Sequence, residues 1–292
     1  MIQRRSEAAG LGLAVGSAVA FGTLAILAKL AYRTGVDQVP LLAVRFAIAA
    51  ILLAGYRAIA GPRGKLQPGA AGRLALLGAI AYAGEATLFF TALKLSPAAV
   101  VSLVFYSYPL WTTLIGFATR IEPFRWGLVA ALALGLAGVA VIFSAPAGSI
   151  AGPAIALVAA VCVSVYYVLA QVLTQGVPPP ASATWSAVGA AVALGLAGAG
   201  LREGFPWAAL PYAAGLGLAT AVAFALFFAA IDRIGSARSA VAATMEPVTT
   251  LLLAALVLGE SLSWRVGLGA VLVIGTLPVL ALTGRRPETE PI

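Results

Sequence analysis

Residues 237–264 read ARSAVAATMEPVTTLLLAALVLGESLSW, and residues 97–126 repeat the same layout upstream. In both copies an apolar helix carries a proline in its interior and ends at a glutamate, which a tryptophan follows four residues later. A shift of 138 positions superimposes the two copies and their flanks without a gap. The identical pairs include Leu88/Leu226, Phe89/Phe227, Phe90/Phe228, Ala92/Ala230, Pro109/Pro247, Thr112/Thr250, Leu114/Leu252, Glu122/Glu260 and Trp126/Trp264. Such self-similarity indicates two related halves, which we assign to residues 1–145 and 146–292.

The composition is typical of a chain that lies largely within a lipid bilayer. Of the 292 residues, 62% are hydrophobic and 10% are charged, whereas a soluble domain carries about 25% charged residues. The mean hydropathy is +1.03. There is one cysteine, Cys162, and no histidine, so a disulfide framework, a Cys-based metal site and a Ser-His dyad are not available. We therefore expect no metal and no cofactor.

The net charge of +8 raises the question of nucleic acid as a partner. The basic residues are scattered between apolar windows and form no stripe with interleaved aromatic residues, which argues against nucleic-acid binding. The expected partners are the lipid bilayer and a small-molecule substrate. The sequence leaves the oligomeric state open, and a monomer is compatible with it.

Ten apolar windows have the length that a bilayer of about 30 Å requires. With the N-terminus in the cytoplasm, twelve basic loop residues face inward and four, Arg33, Lys94, Arg202 and Arg265, face outward. The positive-inside rule then predicts that both termini are cytoplasmic. The windows cover residues 11–31, 40–60, 74–93, 97–118, 126–143, 150–173, 182–200, 207–231, 239–258 and 264–283. The predicted fold class is an all-α integral membrane protein of ten transmembrane helices.

Five helices in each half make the second copy upside down relative to the first. Glu122 then ends its helix on the inner side of the membrane, and Glu260 ends its helix on the outer side. Inverted repeats allow alternating access, because exchange of the two halves' conformations converts an inward-open state into an outward-open one. The alternative is a gene duplication that only built a stable bundle.

Several of these features resemble the drug/metabolite transporter superfamily, EamA type. The resemblance covers almost the whole chain and rests on the paired five-helix units, on Arg45-Phe46, on Glu246-Pro247 with the leucine-rich run to Gly259-Glu260, and on the glycines 267, 269 and 275. Within the superfamily, the run FYSYPLW at residues 105–111 is most similar to bacterial exporters of aromatic and other apolar amino acids. The resemblance implies ten helices, both termini inside, a central substrate cavity and a place in the bacterial inner membrane. Tyr108-Pro109 replaces the Glu-Pro pair in the first copy, so no acidic role carries over to that position.

Four charged residues lie inside the windows: Lys29, Arg45, Glu85 and Glu246. Charges at membrane depth are costly and usually functional. Glu85 facing Lys29 or Arg45 would offset the cost of burial, and the pair could open for a zwitterionic substrate. A permanent structural salt bridge is the alternative for these residues, and helix-end hydrogen bonding is the favoured role for Glu246.

The matched prolines Pro109 and Pro247 are predicted hinges. Each removes an intrahelical hydrogen bond and clashes with the carbonyl four residues earlier, which belongs to Phe105 or Ala243. The freed carbonyl can bind a ligand, and the kink supplies a bending point. A static kink that neighbouring helices accommodate is the alternative.

Aromatic residues inside the windows are the predicted lining of a cavity. Tyr82, Glu85 and Phe89 share one helix face because their spacing is i, i+3 and i+7. Such a lining suits a flat apolar ligand, while ordinary bundle packing is the alternative for each ring. The other candidates, which lie away from window ends, are Tyr106, Tyr166, Tyr167 and Trp185.

Motifs of ATP-binding proteins and of enzymes are missing from the sequence: it has no P-loop, no nucleophile elbow, no HExxH and no dinucleotide fingerprint. We therefore predict a secondary or facilitative exporter of small amphipathic metabolites, above all aromatic and other neutral amino acids, that is not an enzyme. A multidrug or cationic-compound exporter of the same superfamily is the nearest alternative. A channel or an integral membrane enzyme would be a different class.

Overall fold

The computed structural model describes residues 2–60, 66–119, 126–143, 149–173, 176–201, 204–242 and 245–283. Over these residues the secondary structure is helical, with no strand. We number the helices α1 Ile2–Tyr32, α2 Gln38–Ala60, α3 Ala70–Leu95, α4 Ala98–Phe105, α5 Tyr108–Ala118, α6 Trp126–Phe143, α7 Ala151–Leu173, α8 Pro179–Leu201, α9 Leu210–Ala242, α10 Met245–Leu258 and α11 Trp264–Thr283. A π-helical turn, Gly78–Tyr82, interrupts α3.

Each of the ten predicted windows contains an apolar helix. In the described part of the chain, seven helical spans are long and apolar enough to cross a membrane, and three shorter apolar helices lie at Ala133–Ile142, Met245–Leu258 and Trp264–Gly275. The chain is therefore an all-helical, multi-pass membrane protein. The count of ten membrane crossings and the side on which the termini lie remain predictions.

Three windows differ from the helices that we expected, and in the ninth, residues 239–242 belong to the end of α9 while the described α10 is Met245–Leu258. The fourth is divided into α4 and α5, which are separated at Tyr106 and Ser107. The eighth was expected to end at residue 231, but α9 continues as a helix to Ala242. No proline lies between Pro211 and Pro247, so no residue in that stretch lacks the N–H that helix propagation needs.

The packing of the helices follows the internal repeat. The shift that relates the halves exchanges α1 with α7, α2 with α8, α3 with the first part of α9, α5 with α10, and α6 with α11, and it places α4 at residues 236–243. Contacts occur in matching sets under this exchange: α1 packs on α9 as α3 packs on α7, α2 on α9 as α3 on α8, and α1 on α10 as α7 on α5. The pairs α2–α8 and α6–α11 are their own counterparts. The two halves thus meet face to face around one central region.

The helices α3 and α8 approach at the level of their backbones. A Cβ atom at Gly78 would overlap the backbone of Ser186, and one at Gly189 would overlap the backbone of Ala75. Only glycine permits this approach. It places the π-turn of α3 against α8, directly before Tyr82 and Glu85 in the chain.

Candidate functional site

A cavity lies between the two halves, and both contribute to its wall. Its volume is about 80 Å³, which is room for several water molecules. Aromatic side chains dominate the lining: Phe21, Tyr82, Phe89, Phe90, Phe105, Tyr108, Tyr166 and Phe224. The charged lining residues are Arg45, Glu85 and Glu246, and the hydroxyl groups are those of Ser102 and Thr250 besides the tyrosines.

Arg45 is held in place by a neighbour from the other half. Its side chain is 3% exposed, and its Nε donates to Oγ1 of Thr220 at 2.9 Å. The Thr220 hydroxyl in turn donates to the Leu216 carbonyl at 2.7 Å, one turn earlier in α9. The guanidinium carbon lies 4.7 Å and 5.0 Å from the ring centres of Phe46 and Phe90, a geometry that favours a cation. Helix α9 therefore orients the guanidinium towards its place in the cavity wall.

The charges in the cavity are not paired with each other directly. Glu85 is 6% exposed, and neither it nor Glu246 forms an ion pair with Arg45. Among the described residues the ion pair found is Lys94–Asp37, at 2.6 Å, away from the cavity. Glu85 and Arg45 thus lie on the wall of one cavity, but the direct contact between them that we expected is not formed.

Lys29 lies in a different pocket. That pocket is lined by Lys29, Tyr32, Arg33, Leu93, Lys94, Leu258 and Glu260. Arg33, Lys94 and Glu260 are residues that the loop-charge pattern assigned to one side of the membrane, and here they converge. We refer to it as the outer pocket, and Lys29 does not share a site with Glu85.

The predicted face of α3 forms one wall of the cavity. Tyr82 stacks on Tyr166 with ring centres 5.2 Å apart and contacts Phe224 at 5.5 Å. Phe89 contacts Phe105 at 4.7 Å. Tyr82, Glu85, Phe89 and Tyr166 all line this cavity, and their role in substrate binding stays a prediction.

The remaining aromatic candidates lie elsewhere. Tyr106 is buried and packs edge-on against Tyr108, with ring centres 5.6 Å apart, behind the cavity wall. Trp185 packs on a separate apolar cluster of α3 and α8 around Leu74 and Ala181. The side chain of Tyr167 lies outside the described residues. The cavity lining does not include Tyr106 or Trp185, and a direct role of all three residues in substrate binding stays a prediction.

Pro109 lies in the first turn of a helix and not in a helix interior, whereas the two residues before the described part of α10 lie outside the described residues. Pro109 is the second residue of α5 and Pro247 the third residue of α10. The first turn tolerates proline because its N–H groups have no intrahelical acceptor. The Tyr108 carbonyl, next to Pro109, accepts a hydrogen bond from the Ser164 hydroxyl at 2.8 Å. The prediction of a continuous kinked helix is wrong at Pro109, because α4 and α5 are separated at Tyr106 and Ser107. At Pro247 the prediction involves residues 243 and 244, which lie outside the described residues, and a hinge at either proline remains a prediction. Of the two expected carbonyls, that of Ala243 lies outside the described residues.

Several lining residues were not singled out from the sequence. Phe105 and Tyr108 belong to the aromatic run at residues 105–111, which offered a signal. Phe21 and Phe224 offered none beyond their location in apolar windows, while Thr250 was matched to Thr112 in the internal repeat. Tyr108 and Glu246 are counterparts under the 138-residue shift, and both line the cavity. The repeat therefore places an aromatic hydroxyl and a carboxyl group at equivalent positions.

Comparison with known proteins agrees with this architecture. The model of the EamA-like transporter family matches twice, at residues 8–144 and 150–282, and the chain belongs to that family. A solved crystal structure is 23% identical, has a TM-score of 0.69, and aligns over 94% of this chain and 97% of its own; at that identity it supports the fold alone. No curated protein matches the sequence. The protein is a membrane transporter.

Proposed function

We propose that this transporter exports small amphipathic metabolites, above all aromatic and other neutral amino acids, across a bacterial inner membrane. The two halves would alternate access to the central cavity by exchanging their conformations. The observation that carries the proposal is the composition of that cavity. It joins one buried guanidinium and two carboxyl groups to a wall of aromatic rings.

The cavity chemistry matches the three parts of an aromatic amino acid. Arg45 is a donor for the substrate carboxylate, since guanidinium groups bind carboxylates through paired hydrogen bonds. Glu85 and Glu246 are acceptors for the substrate ammonium. Tyr82, Phe89 and Tyr166 offer ring faces and edges to an aromatic side chain.

The buried charges of the cavity favour a zwitterionic ligand. A buried charge without a partner costs several kcal/mol, and Arg45 and Glu85 are both buried without a mutual ion pair. A zwitterionic substrate supplies the two missing opposite charges when it binds between them. Substrate binding is therefore favoured, because it offsets the free-energy cost of burying these two charges. Glu85 is also our candidate for a coupling proton.

Binding of phenylalanine analogues to the purified protein tests the substrate class. Phenylalanine should bind saturably, while 3-phenylpropionate, which lacks the ammonium, and phenethylamine, which lacks the carboxylate, should each bind at least about tenfold more weakly. Titration calorimetry gives the three affinities. Equal or tighter binding of phenethylamine would overturn the amino acid assignment.

Equal or tighter binding of phenethylamine would favour an exporter of cationic compounds. One observation supports this second candidate: the described cavity wall holds two carboxyl groups and one basic residue, so a cationic aromatic ligand also finds a complementary charge. Arg45 distinguishes the two candidate functions, because a guanidinium attracts the carboxylate of an amino acid but does not stabilise a bound cation.

A further inference from the structure

The outer pocket contains a contact between the halves that the transport cavity does not explain. The Glu260 carboxylate accepts two backbone hydrogen bonds, from Ala98 N to Oε1 at 2.7 Å and from Ala99 N to Oε2 at 3.1 Å. These amides open α4, whose first N–H groups have no intrahelical acceptor. Pro97 precedes them and gives no side-chain cap. A residue of the second half thus caps a helix of the first.

The turn before Glu260 is built to present this carboxylate. Gly259 has φ of 69°, a conformation that favours glycine. The Glu260 N–H donates to the Ala254 carbonyl at 3.1 Å, which closes the end of α10 in the manner of a glycine C-cap. The carboxylate also meets the positive end of the α4 dipole. Backbone geometry and charge both stabilise the contact.

Both helices joined by this cap also line the cavity. In α4, Ser102 lies four residues beyond Ala98 and faces the cavity, a rise of about 6 Å along the helix. In α10, Glu246 and Thr250 line the cavity and Leu258 lines the outer pocket. The cap therefore holds together, at one end of the bundle, the two elements between which a substrate would pass.

We propose that the Glu260 carboxylate on the Ala98 and Ala99 amides is a latch that closes the outer end of the transport pathway and is released when the pathway opens outward. This inference rests on the alternating access proposed above. Release exposes the start of α4 and frees it to move away from α10. Loss of the latch shifts the resting population towards the outward-open state.

Thiol labelling measures the state of this gate without a substrate. A Ser102→Cys reporter in a Cys162→Ser background places one thiol on the cavity wall, and a membrane-impermeant maleimide is applied to right-side-out and to inside-out vesicles. Glu260→Ala should raise the labelling rate from the outer face at least about fivefold and lower it from the inner face. Glu260→Gln, of equal size and with one acceptor oxygen left, should give an intermediate rate and tests the latch even where the alanine variant folds poorly.

Asp37→Asn is the matched control. It breaks the Lys94–Asp37 ion pair at the same end of the bundle and leaves the Glu260 contact intact. The reporter thiol should therefore be labelled at the same rate as in the protein in which Asp37 and Glu260 are unchanged. Unchanged labelling in both Glu260 variants overturns the latch, as does an equal increase in Asp37→Asn or an increase from the inner face. Because no substrate is present, these outcomes are independent of whether phenylalanine binds.

Discussion

Arg45 is the residue on which the substrate assignment depends most. Arg45→Lys keeps the charge but loses the planar fork that pairs with a carboxylate. We expect phenylalanine affinity to fall at least about tenfold, and phenethylamine affinity to change little. Calorimetric titration of both ligands checks this, with Arg57→Lys, at the end of α2 and outside the cavity lining, as the control. Equal losses for both ligands would show that Arg45 acts on the fold and not on the carboxylate.

Thr220 should act through Arg45. Thr220→Val keeps the shape of the side chain but removes the hydroxyl that accepts from Nε at 2.9 Å. The guanidinium then loses its anchor on α9, and we expect phenylalanine to bind about tenfold more weakly. Thr220→Ser retains the hydroxyl and should restore most of the affinity. Unchanged phenylalanine affinity in Thr220→Val would show that Thr220 does not position Arg45 for substrate binding.

Glu85 is expected to carry the coupling proton. Glu85→Gln preserves the size of the side chain but cannot release a proton, so an imposed pH gradient should no longer drive phenylalanine accumulation in vesicles. Counterflow, which needs no net proton movement, should persist. Asp37→Asn, which lies outside the cavity lining, serves as the control. Gradient-driven accumulation at the unmodified rate in Glu85→Gln would exclude this role.

At the scale of elements, the crossing of α3 and α8 should be intolerant of even one added methyl group. Gly189→Ala places a Cβ against the Ala75 backbone, and we expect a loss of about 1–3 kcal/mol in stability. Gly195→Ala, on the same helix, meets open space and should be neutral or slightly stabilising, since alanine favours helix. Thermal unfolding in detergent compares the two. A similar melting temperature for both variants would contradict the close approach.

The sequence predicts helices better than it predicts how they are rotated. Apolar runs in the ten windows are sufficient to locate helices, because lipid requires internally bonded backbone. The shared face of Tyr82, Glu85 and Phe89 follows from spacing within one helix. Tyr166 lines the cavity, but neither composition nor spacing distinguishes it from its neighbour Tyr167 in the sequence. Trp185 could not be placed either, since the packing of α8 depends on contacts with α3 around Gly189.

The positions at which helices begin and end are also hard to predict from the sequence. Prolines at 109 and 247 signal a disturbance, but the sequence does not tell whether the helix kinks or restarts. In the structure Pro109 falls in the first turn of α5, where its missing N–H costs nothing. The Glu260 cap likewise joins positions 162 residues apart in sequence, a contact that only the folded chain brings together.

At the scale of the whole molecule, two related halves enclose one cavity, and their contacts occur in matching sets under exchange of the halves. A cavity shared by two exchangeable halves is suited to a carrier that opens to one side at a time. A channel, in contrast, needs a pathway that is open to both sides together. The distinction is kinetic and can be measured directly.

Counterflow in proteoliposomes is the most direct test of this account. Vesicles with the purified protein are loaded with unlabelled phenylalanine, and a trace of labelled phenylalanine is added outside. An alternating-access carrier predicts saturable, transient accumulation of label that depends on the internal phenylalanine. Label that only equilibrates, at a rate that never saturates and is indifferent to the internal amino acid, would contradict the carrier mechanism.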